Sequence, residues 1–257
     1  MRLLRFVFGF VMLAAFAVSA LPISADTLWN RAVEIFEENE GLFARRMSFR
    51  YDEYDGRGEL RNWEERTMRM SMGEDGETEG EILSATRNGE DVTEDRREDP
   101  SGGGPALFGG AGGQDASDGP EGEAGDAEDD GGFRNLEKSP FDPEEQNRVV
   151  YEATGEHRVI DGERARAYTF THRPFGETAT VGTAWLDVES GAPLLVEMTL
   201  DPLPRPALLK ELSMLSEYEF DGQMWYVSDV EMVVSGQFLF LRRTIETTME
   251  FSDYIRP

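Results

Sequence analysis

The segment Trp185-Leu186-Asp187-Val188-Glu189-Ser190-Gly191-Ala192-Pro193-Leu194-Leu195-Val196-Glu197-Met198-Thr199-Leu200-Asp201 sets the fold class. Leu194, Val196, Met198 and Leu200 fall at every second position, and Glu197, Thr199 and Asp201 fall between them. That period places one face of a strand on apolar material and the other in water. Before it, residues 178–188 read as a partner strand, joined through a polar turn that carries Gly191 and closes on Pro193. Downstream, Met224 to Ser235 and Phe238 to Tyr254 form two more long runs, separated by Gly236-Gln237. The C-terminal third is therefore expected to be a meander of antiparallel strands with one apolar face.

Working outward, the same grammar covers most of the chain. Met47, Phe49 and Tyr51 alternate with Ser48, Arg50 and Asp52, Asp55-Gly56-Arg57-Gly58 turns the chain, and Leu60 to Met72 returns. Met68, Met70 and Met72 share one face of that return strand. Methionine is adaptable packing material, suited both to a core and to a surface that accepts varied apolar partners. Gly73 to Gly76 turns into a strand at 80–86, and Asn88-Gly89 is a strong two-residue hairpin signal. Further strands are expected at 149–154 and 166–172, giving nine or ten in all. Near the start, Asp26 or Thr27 can cap a helix to about Phe43. Its Leu28, Trp29, Ala32, Val33 and Phe36 recur at helical spacing opposite Glu34, Glu37, Glu38 and Glu40. An acidic polar face suits a helix that covers a sheet better than one lying on a membrane, which would carry Lys and Arg.

Residues 1–25 read as a secretory leader. Arg2 and Arg5 precede an apolar run from Phe6 to Val18, and small residues follow at Ser19-Ala20 and Ser24-Ala25. The apolar run falls short of the roughly 20 residues a spanning helix needs. An exported chain without cysteine has no lipid-attachment thiol and must be held by its core. The chain carries 25 basic against 52 acidic residues. This argues against nucleic acid and against adhesion to anionic lipid by charge, and fits a self-repelling monomer or a saline habit. Residues 101–132 hold 12 of the 27 glycines with little to bury, so 94–133 is expected as a disordered acidic insert. One domain then comprises 26–93 and 134–257. No calcium loop fits: around Gly56 the frame would begin on Tyr51, and Gly109 to Asp115 only brushes the repeat that binds calcium. No cofactor or metal is implied. The two histidines, His157 and His172, are expected in solvent, and no Gly-x-Ser-x-Gly elbow or phosphate loop appears. The chain reads as a non-enzyme.

Several stretches resemble the LolA-like family of outer-membrane lipoprotein-sorting proteins. Residues 185–194 are similar to its Trp-Leu-Asp hairpin with Gly and Pro. Met214 to Tyr226, with Asp221-Gly222 and Trp225, resembles its segment before a Gly-x-Trp strand, and Phe251-Ser252-Asp253-Tyr254 resembles its terminal strand. The resemblance implies an incomplete antiparallel β-barrel whose concave, apolar side lies under helices. It further implies a periplasmic carrier for acyl chains of lipoproteins or lipids. Under it, Trp29, Phe36, Phe49, Met68, Met70, Met72, Trp185, Leu194, Val196, Met198, Leu200, Trp225 and Phe240 are expected to line the cavity. Arg69 occupies the neighbourhood of the family's lid-locking basic residue, although no proline accompanies it here. An envelope sensor or protein-interaction module on the same fold, with the acidic insert engaging a basic partner, and a passive structural domain stand as the alternatives.

Overall fold

The computed structural model describes residues 25–73, 78–99, 136, 138–174, 178–203, 208–238 and 241–256. Helix α1 (Ala25–Glu38) opens it, followed by strands β1 (Phe43–Asp55), β2 (Leu60–Met72), β3 (Thr78–Arg87) and β4 (Glu90–Asp91). A short helix α2 (Thr93–Glu98) and a 3-10 turn (Pro143–Arg148) come next. The rest is a meander: β5 (Val149–Ile160), β6 (Glu163–His172), β7 (Ala179–Asp187), β8 (Pro193–Asp201), β9 (Leu209–Phe220), β10 (Trp225–Phe238) and β11 (Leu241–Ile255). All eleven strands form one antiparallel sheet in the order β4-β3-β2-β1-β11-β10-β9-β8-β7-β6-β5. The sheet stays open, with β4 and β5 at its edges, so the expected incomplete barrel under an N-terminal helix is the fold. Among the described residues no helix is long and apolar enough to cross a membrane.

Several sequence expectations move. Helix α1 stops at Glu38 rather than Phe43, because Gly41 takes a left-handed φ of 79° and Phe43 already belongs to β1. The helix begins at Ala25, so Asp26 and Thr27 lie inside its first turn. Gly236 and Gln237 do not turn the chain: they pair with Arg243 and Arg242, and Phe238 faces Leu241. Strand β5 runs on to Ile160 because a bulge between Ala153 and His157, with Gly155 at φ 82°, absorbs the polar stretch. The expected insert at 94–133 lies outside the described residues except at its start. There Glu94 to Glu98 belong to α2, whose Arg96 is buried. The expected leader, apart from Ala25, also lies outside them.

One row of directly opposed residues crosses every strand: Tyr151, Phe170, Gly182, Met198, Met214, Met232, Thr247, Tyr51, Glu64, Arg87 and Glu90. Opposed residues in antiparallel ladders project from the same face, so this row samples the inner face from edge to edge. Its first half is apolar and its last third ionic. Over the apolar half sits α1. Trp29 is fully buried, stacks on Tyr151 at 4.3 Å between centroids, and lies 4.9 Å from Phe141. Its indole N–H donates to Gln146 Oε1 at 3.1 Å, satisfying the ring's one polar atom. Leu28, Ala32, Leu186, Val196, Leu200 and Leu212 complete this core. Gly182 is required in the row: a Cβ there would lie 2.1 Å from the Glu197 carbonyl oxygen and 2.9 Å from the Phe170 ring.

Candidate functional site

The inner face divides into a filled part and an open part. From β6 to β10 the side chains of α1 and the 3-10 turn occupy it, and Val196, Met198 and Leu200 are buried in that packing. On β1, β2 and β11 the same face carries Met47, Phe49, Met68, Met70, Met249 and Phe251, all only half-buried. Their register makes them one strip: Met47 opposes both Phe251 and Met68, and Phe49 opposes Met249. A half-buried apolar strip of methionine and phenylalanine is surface that a flexible hydrocarbon can cover.

Charge bounds the strip on one side. Glu64, only 1% exposed, accepts hydrogen bonds from Arg66 Nε, from Arg87 Nε at 2.8 Å, and from Arg96 Nε and Nη2 at 2.7 and 2.9 Å. Burial pushes the Glu64 carboxyl up, but the Arg96 and Arg66 hydrogen bonds outweigh it and hold the group at about 2. Arg96 comes from α2, so this cluster fastens the short helix to the sheet. Three guanidinium groups on one carboxylate leave the cluster cationic. The Arg66 guanidinium also lies 5.9 Å over the Phe49 ring, where the ionic end meets the apolar strip. Next to it, burial and then the Glu53 carboxylate push the Tyr51 hydroxyl up to about 12.

Past the strip's other end, where β1 begins and β2 and β11 finish, lies a recess of about 550 Å³. Phe43, Arg45, Arg46, Arg69, Met70 and Met72 are among its lining residues. Arg69 pairs with Glu81 of β3 at 3.0 Å, and both side chains are exposed. That contact ties it to the neighbouring strand and not to a helix.

Phe49, Met68 and Met70, of the thirteen apolar positions expected in one cavity, come together on the strip, and Met72 reaches the recess 50% exposed. Trp29, Val196, Met198 and Leu200 belong to the packed core, while Phe36 stands 37% exposed on α1. Trp185 and Leu194 belong to a second cluster with Ala165, Ala167 and Leu195, against which Trp225 packs. Trp185 lies between Ala184 and Leu186 of the core and so projects from the outer face, under the Arg158 guanidinium at 3.9 Å. Leu194 is displaced because the ladder skips it: Trp185 opposes Leu195, and Leu186 opposes Pro193. Phe240 lies outside the described residues. The strip's Met47, Met249 and Phe251 were absent from the expected set, although Met47 was legible in the alternation of β1.

His172 corrects the expectation of a solvated side chain. It is fully buried, with Nε2 3.5 Å from Glu145 Oε2. Burial lowers its pKa against the pull of that carboxylate. Among the described residues, no group of His, Asp and Glu is arranged to hold a metal ion.

The chain folds as one open antiparallel sheet under an N-terminal helix. Solved structures similar to it span nearly the whole chain at low identity. A DUF1329 family protein from Desulfovibrio piger is 11% identical with a TM-score of 0.37, covering 90% of this chain and 92% of its own. A LolA superfamily protein from Nitrosomonas europaea is 12% identical with a TM-score of 0.34, covering 91% and 94%. A putative outer membrane lipoprotein-sorting protein domain from Vibrio parahaemolyticus is 12% identical with a TM-score of 0.37, covering 88% and 92%. No family profile and no curated protein matches the chain.

Proposed function

We propose that the protein is an exported periplasmic carrier that holds acyl chains of lipoproteins or lipids against the inner face of its half barrel, for transfer between envelope membranes. The observation that carries this reading is the strip formed by Met47, Phe49, Met68, Met70, Met249 and Phe251, which α1 leaves half-uncovered. Each methylene moved from water onto such a surface contributes about 0.8 kcal/mol, so about ten supply on the order of 8 kcal/mol before ordering costs. That is enough to retain a chain and weak enough to release it. The work is binding, with no chemistry on the cargo.

The test is displacement of a fluorescent fatty acid. Met68→Glu on the strip is expected to abolish binding and leave the circular dichroism spectrum intact, because Met68 is half-buried. Full binding by this variant would remove the strip from the site. A second reading, an interaction module that recruits a basic partner through the acidic insert, is favoured by one feature. Arg96, at the insert's start, is buried against Glu64 and fixes its base. Deleting residues 100–135 separates the two: a carrier keeps its fatty acid, whereas an interaction module loses its partner.

A further inference from the structure

We propose that the recess at the start of β1 is a headgroup subsite, and that the cargo is an anionic amphiphile bearing a phosphate group. This rests on the acyl-carrier reading and narrows it to a class of ligand.

Arginine supplies 23 of the 25 basic residues, and acidic residues outnumber them, so many of the arginines are neutralised. There are 25 basic against 52 acidic residues, and Arg31, Arg50, Arg61, Arg66, Arg87 and Arg96 each lie within 3.0 Å of a carboxylate oxygen. Arg45 and Arg46 do otherwise. Both line the recess, which Asp253 also borders, yet among the described residues neither forms an ion pair, whereas Arg69 does. Arg46 also opposes Arg69 directly across the β1–β2 ladder. Like charges placed opposite each other cost stability, and among the described residues Glu81 pairs with Arg69 and not with Arg46. A bound anion would relieve the opposition. Guanidinium groups suit a phosphate because their planar N–H forks bond two of its oxygens at once.

Apolar side chains complete the match. Met72 and Ile255, 50% and 36% exposed, border the same recess, with Phe43 and Met70 beside them. Met70 follows Met68 at the two-residue spacing that keeps both on one face of β2, so the recess leads onto the strip. Unpaired cations and exposed hydrocarbon in one recess of about 550 Å³ are two unfavourable features that a phosphate joined to an acyl chain satisfies together. A neutral chain would cover only the second.

Calorimetry on the full chain, with two single-chain lipids of the same acyl length below their micelle concentrations, tests this. Lysophosphatidylglycerol carries net negative charge; lysophosphatidylcholine carries none. Both headgroups offer the arginines the same phosphate oxygens, but lysophosphatidylcholine adds a choline cation that the arginines repel, so the anionic lipid is expected to bind at least about tenfold tighter. The preference is expected to shrink with added salt. Arg45→Glu/Arg46→Glu is expected to erase the preference while lysophosphatidylcholine still binds as before, with thermal unfolding confirming that the variant is folded. Equal affinity for the two lipids in the parent chain, or a preference that survives the double variant, overturns the headgroup subsite and leaves the acyl carrier standing. Failure of both lipids to bind overturns the carrier and the subsite with it. Inorganic phosphate is expected not to compete at concentrations where the anionic lipid saturates. Phosphate that bound as tightly would make the recess a free-anion site and overturn the amphiphile.

Discussion

Neutralising Glu64 is expected to cost more than removing any arginine bound to it. In Glu64→Gln, Arg66 and Arg96, both less than a tenth exposed, lose their shared countercharge. Breaking a buried ion pair by deleting one partner costs about 3–5 kcal/mol. The half-exposed Arg87 hydrates its own charge and adds little. Arg96→Ala removes two hydrogen bonds from the carboxylate but leaves it Arg66 and Arg87. Its cost is therefore about that of one interaction with a charged group, roughly 1.5–3 kcal/mol. For a domain of this size each kcal/mol moves the unfolding midpoint by about 2–4 °C, so the two variants should separate in a thermal melt. The pH dependence checks the cause. Glu64 is held at about 2, against an ordinary 4.5, so the unfolded chain binds the extra proton in between. The group's stabilisation is fully present above about 4.5 and is lost as pH falls toward 2. Urea unfolding of parent and Glu64→Gln should therefore converge as pH is lowered through that window. An Arg96→Ala variant less stable than Glu64→Gln, or a gap between parent and Glu64→Gln that stays constant with pH, would refute the reasoning.

Three further outcomes follow from the packing. Trp29→Ala removes a fully buried ring stacked on Tyr151, and its cost in urea unfolding is expected to be about 3–5 kcal/mol. Gly182→Ala drives a methyl group into the Glu197 carbonyl, forcing β7 from β8 at a cost of about 1–3 kcal/mol, while Gly58→Ala, with open space around it but φ at 78°, pays only the backbone term. His172 is buried with its pKa lowered from the ordinary 6.5, so the folded form binds fewer protons than the unfolded one. Its contribution is present above about 6.5 and is lost as pH falls below that value. His172→Gln should accordingly flatten the decline of the melting midpoint between pH 7.5 and 5.5, and an unchanged slope there would exclude His172 as its source.

The meander was legible because its strands alternate cleanly and its turns carry Gly at positive φ, as at Gly89, Gly162, Gly191 and Gly222. What escaped the sequence was non-local. Glu64, Arg66 and Arg87 read as an ordinary charged face of β2 and β3, and only the arrival of Arg96 from α2 turns that face into a buried cluster. Buried His172 was hidden likewise, because the 3-10 turn that supplies Glu145 is separated from β6 by a whole strand. The placement of Leu194 failed for a local reason: alternation assumes an unbroken ladder, and the skipped position in β8 changes its face. In the candidate site, Phe49, Met68 and Met70 were found through their period. Separating them from the equally periodic Val196 and Met198 required knowing where α1 lies, which no period encodes.

That separation has a geometric cause. Fourteen residues of α1 make a rod about 21 Å long. Eleven strands at about 4.8 Å spacing make an arc of about 48 Å. One helix of this length cannot cover the inner face, whichever way it lies. The chain finishes the face in two different ways: α1 and the 3-10 turn cover an apolar core from β6 to β10, and where β2 meets β3 arginines clamp Glu64 under α2. Between covered core and clamp, β1, β2 and β11 keep apolar side chains with neither solution applied to them. A sheet selected for stability alone would have made these positions polar, because a half-exposed methionine gains less than a buried one and invites association. Their retention is the physical ground for assigning the strip to cargo.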